Sequence, residues 1–199
     1  MLIIGINGSP NKEENTAFLL GKALAAAQAG GARTELLHVV DALQGLQTPF
    51  CNTCCNPCEG ACTRGNNMGI AYDQLRQADG LIIASPVYFG TVSGQLKAFW
   101  DKSRVLRKER ALVNVVGAAL AVGGSRFGGQ ETTLRAIHDM MLVQGMTVVG
   151  DGYFDADAGH QGACAHRPAA DDENAIKRAE ITGRRVVEVA RATSSLRRR

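Results

Sequence analysis

The chain has 199 residues, of which 45% are hydrophobic and 21% are charged, a composition typical of one globular domain and not of a disordered chain. Its net charge of +3 is carried by Arg197, Arg198 and Arg199, since the other 19 basic residues (22 minus these three) balance 19 acidic ones; we therefore expect a short solvated tail and no nucleic-acid partner. No apolar run approaches the ~20 residues that span a bilayer, and the start "MLIIGING" lacks the charged leader and long apolar stretch of a signal peptide, so we expect a cytoplasmic protein with no membrane role.

Short apolar segments and helical segments alternate along the chain. The predicted strands are 2–7, 33–40, 80–90, 112–124 and 146–150. The predicted helices are 15–28, 70–77, 93–106, 130–144 and 171–193. A Cys-rich insertion occupies 50–66, and the Gly-, Ala- and His-rich segment 151–170 is expected to be irregular. Continuous apolar strands separated by helices predict a parallel sheet covered on both faces. We therefore expect a single doubly wound α/β domain over 1–199, with five strands in the order 2-1-3-4-5.

In such a sheet, ligands bind beyond the carboxyl ends of the strands, at the switch point between strands 1 and 3. The loop after strand 1, "NGSPNKEENTAFL", brings Ser9, Asn15 and Thr16 to the start of a helix, whose free N–H groups suit a phosphate. The same residue types also suit plain helix capping, so both interpretations stay open. Neither GxGxxG nor the P-loop signature is present, which gives no support to ATP or GTP binding.

The loops after strands 3 and 4 offer surfaces for a planar ring. In "SPVYFGTVSGQLKAFWDK", Tyr88 and Phe89 are consecutive aromatic residues at a strand end, although Phe89 could instead be core and Tyr88 a surface ring. In "GGSRFGGQETTL", glycines flank Ser125 and Gln130 and allow close approach of the backbone to a ligand, although a flexible loop would look the same. One phosphate site and two ring surfaces at one sheet edge indicate a phosphorylated flavin, FMN.

"GSPNKEENT", "ADGLIIASPVYFGTVSGQLKAFWDK" and "VGGSRFGGQETTL" resemble the three FMN segments of the NADPH-dependent FMN reductase-like branch of the flavodoxin-like superfamily, over residues 2–150. The resemblance implies a flavodoxin-like fold, bound FMN, reductase or electron-transfer activity with NAD(P)H as a possible donor, and a homodimer or homotetramer. It assigns the phosphate to Ser9, Asn15 and Thr16. It implies that Pro86, Val87, Tyr88 and Phe89 lie along the flavin ring. It assigns the third loop to Gly124, Ser125, Gly128, Gly129 and Gln130.

Five of the six cysteines lie in "CNTCCNPCEGAC", residues 51–62. Cytoplasmic thiols stay reduced, which disfavours disulfides. Four thiolates in one loop can bind a [4Fe–4S] cluster, whereas structural zinc usually draws on two separated C-x2-C pairs. A metal-free or redox-active thiol loop stays open as an alternative.

The placement of this loop between strand 2 and the next helix resembles that in iron–sulfur flavoproteins of the same branch. The assigned metal ligands are Cys51, Cys54, Cys58 and Cys62. Their spacing, C-x2-C-x3-C-x3-C, departs from the family's C-x2-C-x2-C with a longer gap to the fourth Cys, and Asn66-Asn67-Met68 stands where relatives carry Asp-Asp-Met. Adjacent side chains diverge, so one of Cys54 and Cys55 should bind, and Cys54 keeps the family's spacing from Cys51.

Together these patterns predict an FMN oxidoreductase or electron-transfer flavoprotein with a [4Fe–4S] cluster, because flavin exchanges hydride or single electrons and a cluster exchanges single electrons. We name no catalytic side chain, since hydride transfer to flavin needs orientation and exclusion of water. The expected partner is a redox protein or a small acceptor such as a quinone. The alternatives are a cluster-free NAD(P)H-dependent FMN or quinone reductase and a non-enzymatic electron carrier or metal-binding module. A subunit interface is expected to use part of the helix that carries Leu96, Phe99, Trp100 and Val105.

Overall fold

The structure, a computed structural model, describes residues 1–198; Arg199 of the predicted tail lies outside them. The strands are β1 (Leu2–Asn7), β2 (Arg33–His38), β3 (Gly80–Pro86), β4 (Val116–Gly123), β5 (Thr147–Val148) and β6 (Ala163–His166). The helices are α1 (Asn15–Ala29), α2 (Val39–Leu43), α3 (Asn67–Gln77), α4 (Gly94–Asp101), α5 (Arg104–Glu109), α6 (Gln130–Leu142) and α7 (Glu173–Ala192). No helix within residues 1–198 has both the length and the apolar character needed to cross a membrane.

The sheet is parallel and has the order β2-β1-β3-β4-β5, which confirms the predicted doubly wound architecture. Helices cover both faces of the sheet, and alternate residues of β1 point to opposite sides. Leu2, Ile4 and Ile6 join the apolar cluster under α3, α4 and α6. Ile3 joins the cluster under α1 and α7. The carboxyl ends of β1, β3 and β4 therefore meet at one edge, as the switch-point argument requires.

The segment that was expected to be irregular contains a sixth strand, and this expectation is therefore corrected. β5 pairs with Val116 and Gly117 at the start of β4. The chain then leaves the sheet and returns as β6, which pairs with Leu120–Gly123 on the same side of β4. The segment between β5 and β6 is held against α7, because Arg178 donates to both carboxylate oxygens of Asp157, at 2.7 and 2.6 Å. This pairing lowers the pKa of Asp157 to about 2.

The predicted helix over 93–106 is two helices, α4 and α5. Between them Ser103 donates to the Trp100 carbonyl at 2.6 Å and accepts from the Gln144 side chain at 2.6 Å. All four apolar residues that were expected to reach a subunit interface are buried within the chain itself: Leu96, Phe99, Trp100 and Val105. The expectation for these side chains is corrected, because they pack on the sheet.

The predicted second strand also ends early, at His38, where α2 begins with the buried Val39. The C-terminal tail is only partly solvated. The Arg197 guanidinium donates to the carbonyls of Ala78, Ala111 and Val113 at 3.0, 3.2 and 2.8 Å. The first arginine of the tail therefore docks beside the amino-terminal ends of β3 and β4, where these carbonyls lie.

α1 and α7 cross in close contact on one face of the sheet. Gly183 of α7 lies so near α1 that a Cβ at this position would overlap the Ala23 carbonyl. Near the end of α7, Arg191 donates to the Gly30 carbonyl at 2.9 Å. α1, which begins beside the loop after β1, is thus held by the C-terminal helix.

Candidate flavin site

A pocket of about 190 Å³ lies at the carboxyl ends of β1, β3 and β4. Its volume is below the roughly 300–1,000 Å³ of whole ligand sites, so it suits one end of a cofactor. Its lining residues are Ser9, Asn11, Glu14, Asn15, Thr16, Pro86, Val87, Tyr88, Val122, Gly123, Gly124 and Arg167. The structure therefore brings the three predicted phosphate residues together with three of the four predicted ring residues and with Gly124.

The loop after β1 is shaped by Asn7, a fully buried residue that the sequence reasoning missed. Its side-chain carbonyl oxygen accepts from the Ser9 N–H at 3.0 Å, and its NH2 group donates to the Asn11 carbonyl at 3.2 Å. The Ser9 hydroxyl in turn accepts from the Asn11 N–H at 3.0 Å. A buried amide at the end of an apolar strand is the signal that could have indicated this role.

His38 at the end of β2 supports Asn7 from the neighbouring strand. The NH2 group of Asn7 lies 3.0 Å from Nδ1 of His38. Because an amide NH2 can only donate, this ring nitrogen accepts and the imidazole is neutral. Burial lowers the pKa of His38, with Lys12 acting in the same direction and Asp41 opposing it, which agrees with a neutral ring.

The N-terminus of α1 has no side-chain cap, although Ser9, Asn15 and Thr16 are all capable of capping. The helices α3, α4 and α7 are capped by Asn66, Ser93 and Asp172, whereas α2, α5 and α6 also lack a side-chain cap. The first turn of α1 thus keeps backbone donors and a partial positive charge at the pocket, which is the arrangement that binds a phosphate. The plain-capping interpretation of these residues is not what the structure shows.

The loop after β3 makes a tight turn in which Tyr88 and Thr91 exchange backbone hydrogen bonds at 2.9 and 3.2 Å. The central residues, Phe89 and Gly90, both have positive φ, at 50° and 79°. A left-handed Phe costs on the order of 1 kcal/mol, so the turn holds strain at the site. Phe89 is fully exposed, which excludes the interpretation of this ring as core, and its ring does not line the pocket.

The loop after β4 is organised by Gln130, which is buried. Its side chain accepts from the Gly128 N–H at 2.8 Å and donates to the carbonyls of Ser125 and Ala165 at 2.6 and 3.2 Å. Gly129 packs against the β3 loop, since a Cβ there would lie 3.0 Å from the Cα of Gly90. The Gln130 amide is thus committed to the protein, and we expect it to shape the loop while backbone groups meet the ligand.

The thiol loop, residues 51–62, runs between α2 and α3, and its thiols are half-buried or exposed. The sulfur atoms of Cys54 and Cys55 lie 4.0 Å apart, and that of Cys55 accepts from the Glu59 N–H at 3.3 Å. Cys58 packs against the apolar core. In residues 1–198 no group of three or more His, Cys, Asp or Glu side chains is arranged to hold a metal ion.

A series of three contacts, through α2 and the start of α3, links the loop after β1 to the thiol loop. Lys12 forms an ion pair with Asp41 of α2 at 2.5 Å, and the Asp41 carbonyl accepts from the Asn67 side chain at 3.1 Å. Asn67 starts α3, and the preceding Asn66 donates to the Cys62 carbonyl at 3.0 Å. The thiol loop and the pocket therefore lie at the same edge of the sheet.

The model of the NADPH-dependent FMN reductase family matches residues 1–161. The chain belongs to this family. It is 38% identical to an iron–sulfur flavoprotein of Methanosarcina thermophila over 190 residues, 95% of either chain. It is 41% identical to an iron–sulfur flavoprotein of Methanocaldococcus jannaschii over 196 residues, 96% of this chain and 98% of the relative. A flavodoxin, WrbA-like protein of Agrobacterium tumefaciens shares the fold, with a TM-score of 0.70 at 19% identity over 96% of this chain and 98% of that one.

Membership in the FMN reductase family confirms a flavodoxin-like fold and an FMN-binding flavoprotein oxidoreductase. The pocket fits FMN in two respects: the uncapped start of α1 suits its phosphate, and Gly123 and Gly124 lie in the wall beside it. A Cβ at Gly123 would overlap the Gln130 amide, so only glycine allows this close packing of the wall. The start of α1, with Gly123 and Gly124 beside it, would hold the phosphate end of the flavin, and the flavin ring would lie towards Val87 and Tyr88.

Proposed function

We propose that this chain is an FMN oxidoreductase in which a [4Fe–4S] cluster on the thiol loop exchanges electrons with the flavin. The proposal rests on one observation: the flavin pocket and the thiol loop lie at the same edge of the sheet. Lys12 and Asn67 both contact Asp41, and Asn66 contacts the Cys62 carbonyl. When bound, FMN supplies hydride and single-electron chemistry, and a cluster supplies single-electron chemistry. The names of the two relatives and the number of thiols support the cluster.

The residues of this chain bind and orient the cofactors. Ser9, Asn15 and Thr16 hold the phosphate with the first turn of α1, and Pro86, Val87 and Tyr88 form the wall for the ring. Cys51, Cys54, Cys58 and Cys62 supply the metal ligands. NAD(P)H is a candidate donor, and a redox protein or a quinone is a candidate acceptor. A cluster-free NAD(P)H-dependent FMN or quinone reductase is the second candidate, favoured by the lack of a preformed three-ligand site in the described part of the chain.

The absorption spectrum of freshly purified, anaerobic protein tests the proposal. We expect resolved flavin bands with a broad additional shoulder from the cluster. Resolved bands without the shoulder, and without iron or sulfide on analysis, would leave the cluster-free reductase. A colourless protein that takes up neither FMN nor iron would refute both functions.

The phosphate residues allow a second test on the same protein. Ser9→Ala combined with Thr16→Ala should weaken FMN binding by about 1–3 kcal/mol, because hydrogen bonds to a charged group are lost. Fluorescence titration of the flavin-free protein measures this change. Thr182→Ala is a matched control, since this buried threonine of α7 bonds to the Arg178 carbonyl away from the pocket. Equal FMN affinities in the double variant and the parent would remove the assignment.

We also propose that the chain forms a homodimer or homotetramer. Three aromatic side chains stand almost wholly in solvent on loops: Phe89, Phe127 and Phe154. Phe89 and Phe127 flank the flavin edge, where a second copy could cover them and exclude water. Light scattering of the FMN-loaded protein at micromolar concentration should give at least the mass of a dimer. A monomer mass would refute the proposal.

A further inference from the structure

The segment after β6 forms one wall of the flavin pocket. Arg167 lines the pocket, and its backbone N–H donates to the Gly123 carbonyl at 3.0 Å. Its guanidinium lies over Gly124, since a Cβ placed there would be 3.5 Å from it. Two residues later, the Ala169 N–H donates to the Asn15 side chain at 2.8 Å. Arg167, directly after β6, therefore lies beside the loops that follow β1 and β4.

Among the residues that line the pocket, Arg167 is the one with a cationic side chain. Lys12, in the loop after β1, is already paired with Asp41. Glu14 lines the same pocket with a negative charge. Within residues 1–198, the Arg167 side chain takes part in none of the ion pairs or side-chain hydrogen bonds. Without Arg167 the titratable groups lining the pocket would carry a net negative charge, which opposes the binding of a phosphate dianion.

The contact between Ala169 and Asn15 adds to the same effect. Because the Asn15 side-chain carbonyl oxygen accepts from Ala169, the NH2 group of this pocket-lining residue is the end left to donate to a ligand. An amide NH2 donates to an anion, whereas the carbonyl would repel it. The segment 167–169 thus supplies a cation directly and orients a second donor.

We propose that Arg167 binds the phosphate of FMN and makes the site select phosphorylated flavin over riboflavin. A guanidinium can donate two parallel hydrogen bonds to a phosphate, a geometry that a neutral ribityl hydroxyl cannot match. This inference rests on the proposed flavin site and adds a residue to it. Arg167 lies beyond residues 1–161, which the family match covers.

Flavin affinities of three proteins test the proposal: the parent, Arg167→Gln and the control Arg184→Gln. Arg184 is exposed on α7 and does not line this pocket, so its replacement changes the net charge equally. Fluorescence titration of each flavin-free protein, under anaerobic conditions, gives dissociation constants for FMN and for riboflavin. Arg167→Gln should raise the dissociation constant for FMN by about 10- to 100-fold and leave that for riboflavin within about 3-fold of the parent value. Arg184→Gln should change neither.

The conservative variant and the salt dependence sharpen the result. Arg167→Lys should recover part of the FMN affinity, and the FMN affinity of the parent should fall more steeply with salt than that of Arg167→Gln. Equal losses for FMN and riboflavin in Arg167→Gln would overturn the proposal, because the segment would then only close the pocket. Unchanged FMN affinity would overturn it as well. If the parent binds neither flavin, the proposed function itself fails, which is a separate outcome.

Discussion

Cys54→Ser should lose most of its iron and sulfide after anaerobic reconstitution, whereas Cys55→Ser should keep both. Four ligands are needed, and Cys51, Cys58 and Cys62 are assigned to three of the positions. One of Cys54 and Cys55, whose sulfur atoms lie 4.0 Å apart, is therefore left out. Cys54 is exposed, so its side chain has room to turn towards a cluster. Cys54 also keeps the C-x2-C spacing from Cys51. Iron and acid-labile sulfide analysis measures the effect, and both variants should keep FMN.

Cys164→Ser is the matched control for the cysteine series. Cys164 belongs to β6, and burial raises the pKa of its thiol to about 12, so it is poorly suited to act as a thiolate ligand. This variant should take up as much iron as the parent. If Cys55→Ser loses the iron and sulfide while Cys54→Ser keeps them, Cys55 and not Cys54 is the ligand. A parent protein that takes up no iron would favour the cluster-free reductase.

Gly183→Ala should destabilise the protein by about 1–3 kcal/mol, because a Cβ at this position overlaps the Ala23 carbonyl where α7 crosses α1. The two helices would have to separate, and the start of α1 would shift with them. Urea unfolding followed by circular dichroism, at equal flavin saturation, measures the change in the free energy of unfolding.

Gly21→Ala provides the opposite result from the same chemical change. Gly21 lies in α1, and no atom beyond its chain neighbours and the local helix backbone comes within 4 Å of the point that an alanine Cβ would occupy, so alanine there adds no clash. It should stabilise the protein by about 0.5–1 kcal/mol, since glycine in a helix interior has the larger conformational entropy to lose. Equal stabilisation by both substitutions would contradict the close crossing of α1 and α7.

The strand order and the three flavin loops could be predicted because their signals are local. Runs such as "LIIGIN" and "GLIIAS" are apolar throughout most of their length, as buried parallel strands require, and each predicted loop directly follows such a strand. The position of Ser9, Tyr88 and Gly124 at one edge then follows from the topology. Their roles towards FMN stay predictions, and the titration of the Ser9 and Thr16 variant tests the first of them.

The features that the sequence did not reveal depend on tertiary contacts. "ACAH" is short and small-sided, and it becomes β6 because β4 has an unpaired edge beside it. The break before α5 depends on the Ser103 hydroxyl and Gln144, which are 41 residues apart. Arg167 reaches the pocket only through β6, so no spacing near the flavin motifs could indicate it.

The crossing of α1 and α7 also has a consequence for the order of folding during synthesis. The Arg191–Gly30 hydrogen bond spans 161 residues of sequence. Until α7 has been made, the apolar face formed by Ile3, Ile82 and Val116 lacks half of its cover, although every strand of the sheet precedes α7 in the chain. Contacts of such long range form slowly and leave apolar surface open on the nascent chain. The flavin pocket, whose wall at Arg167 comes shortly before α7, should therefore be completed late, after the residues that the ring contacts are already in place.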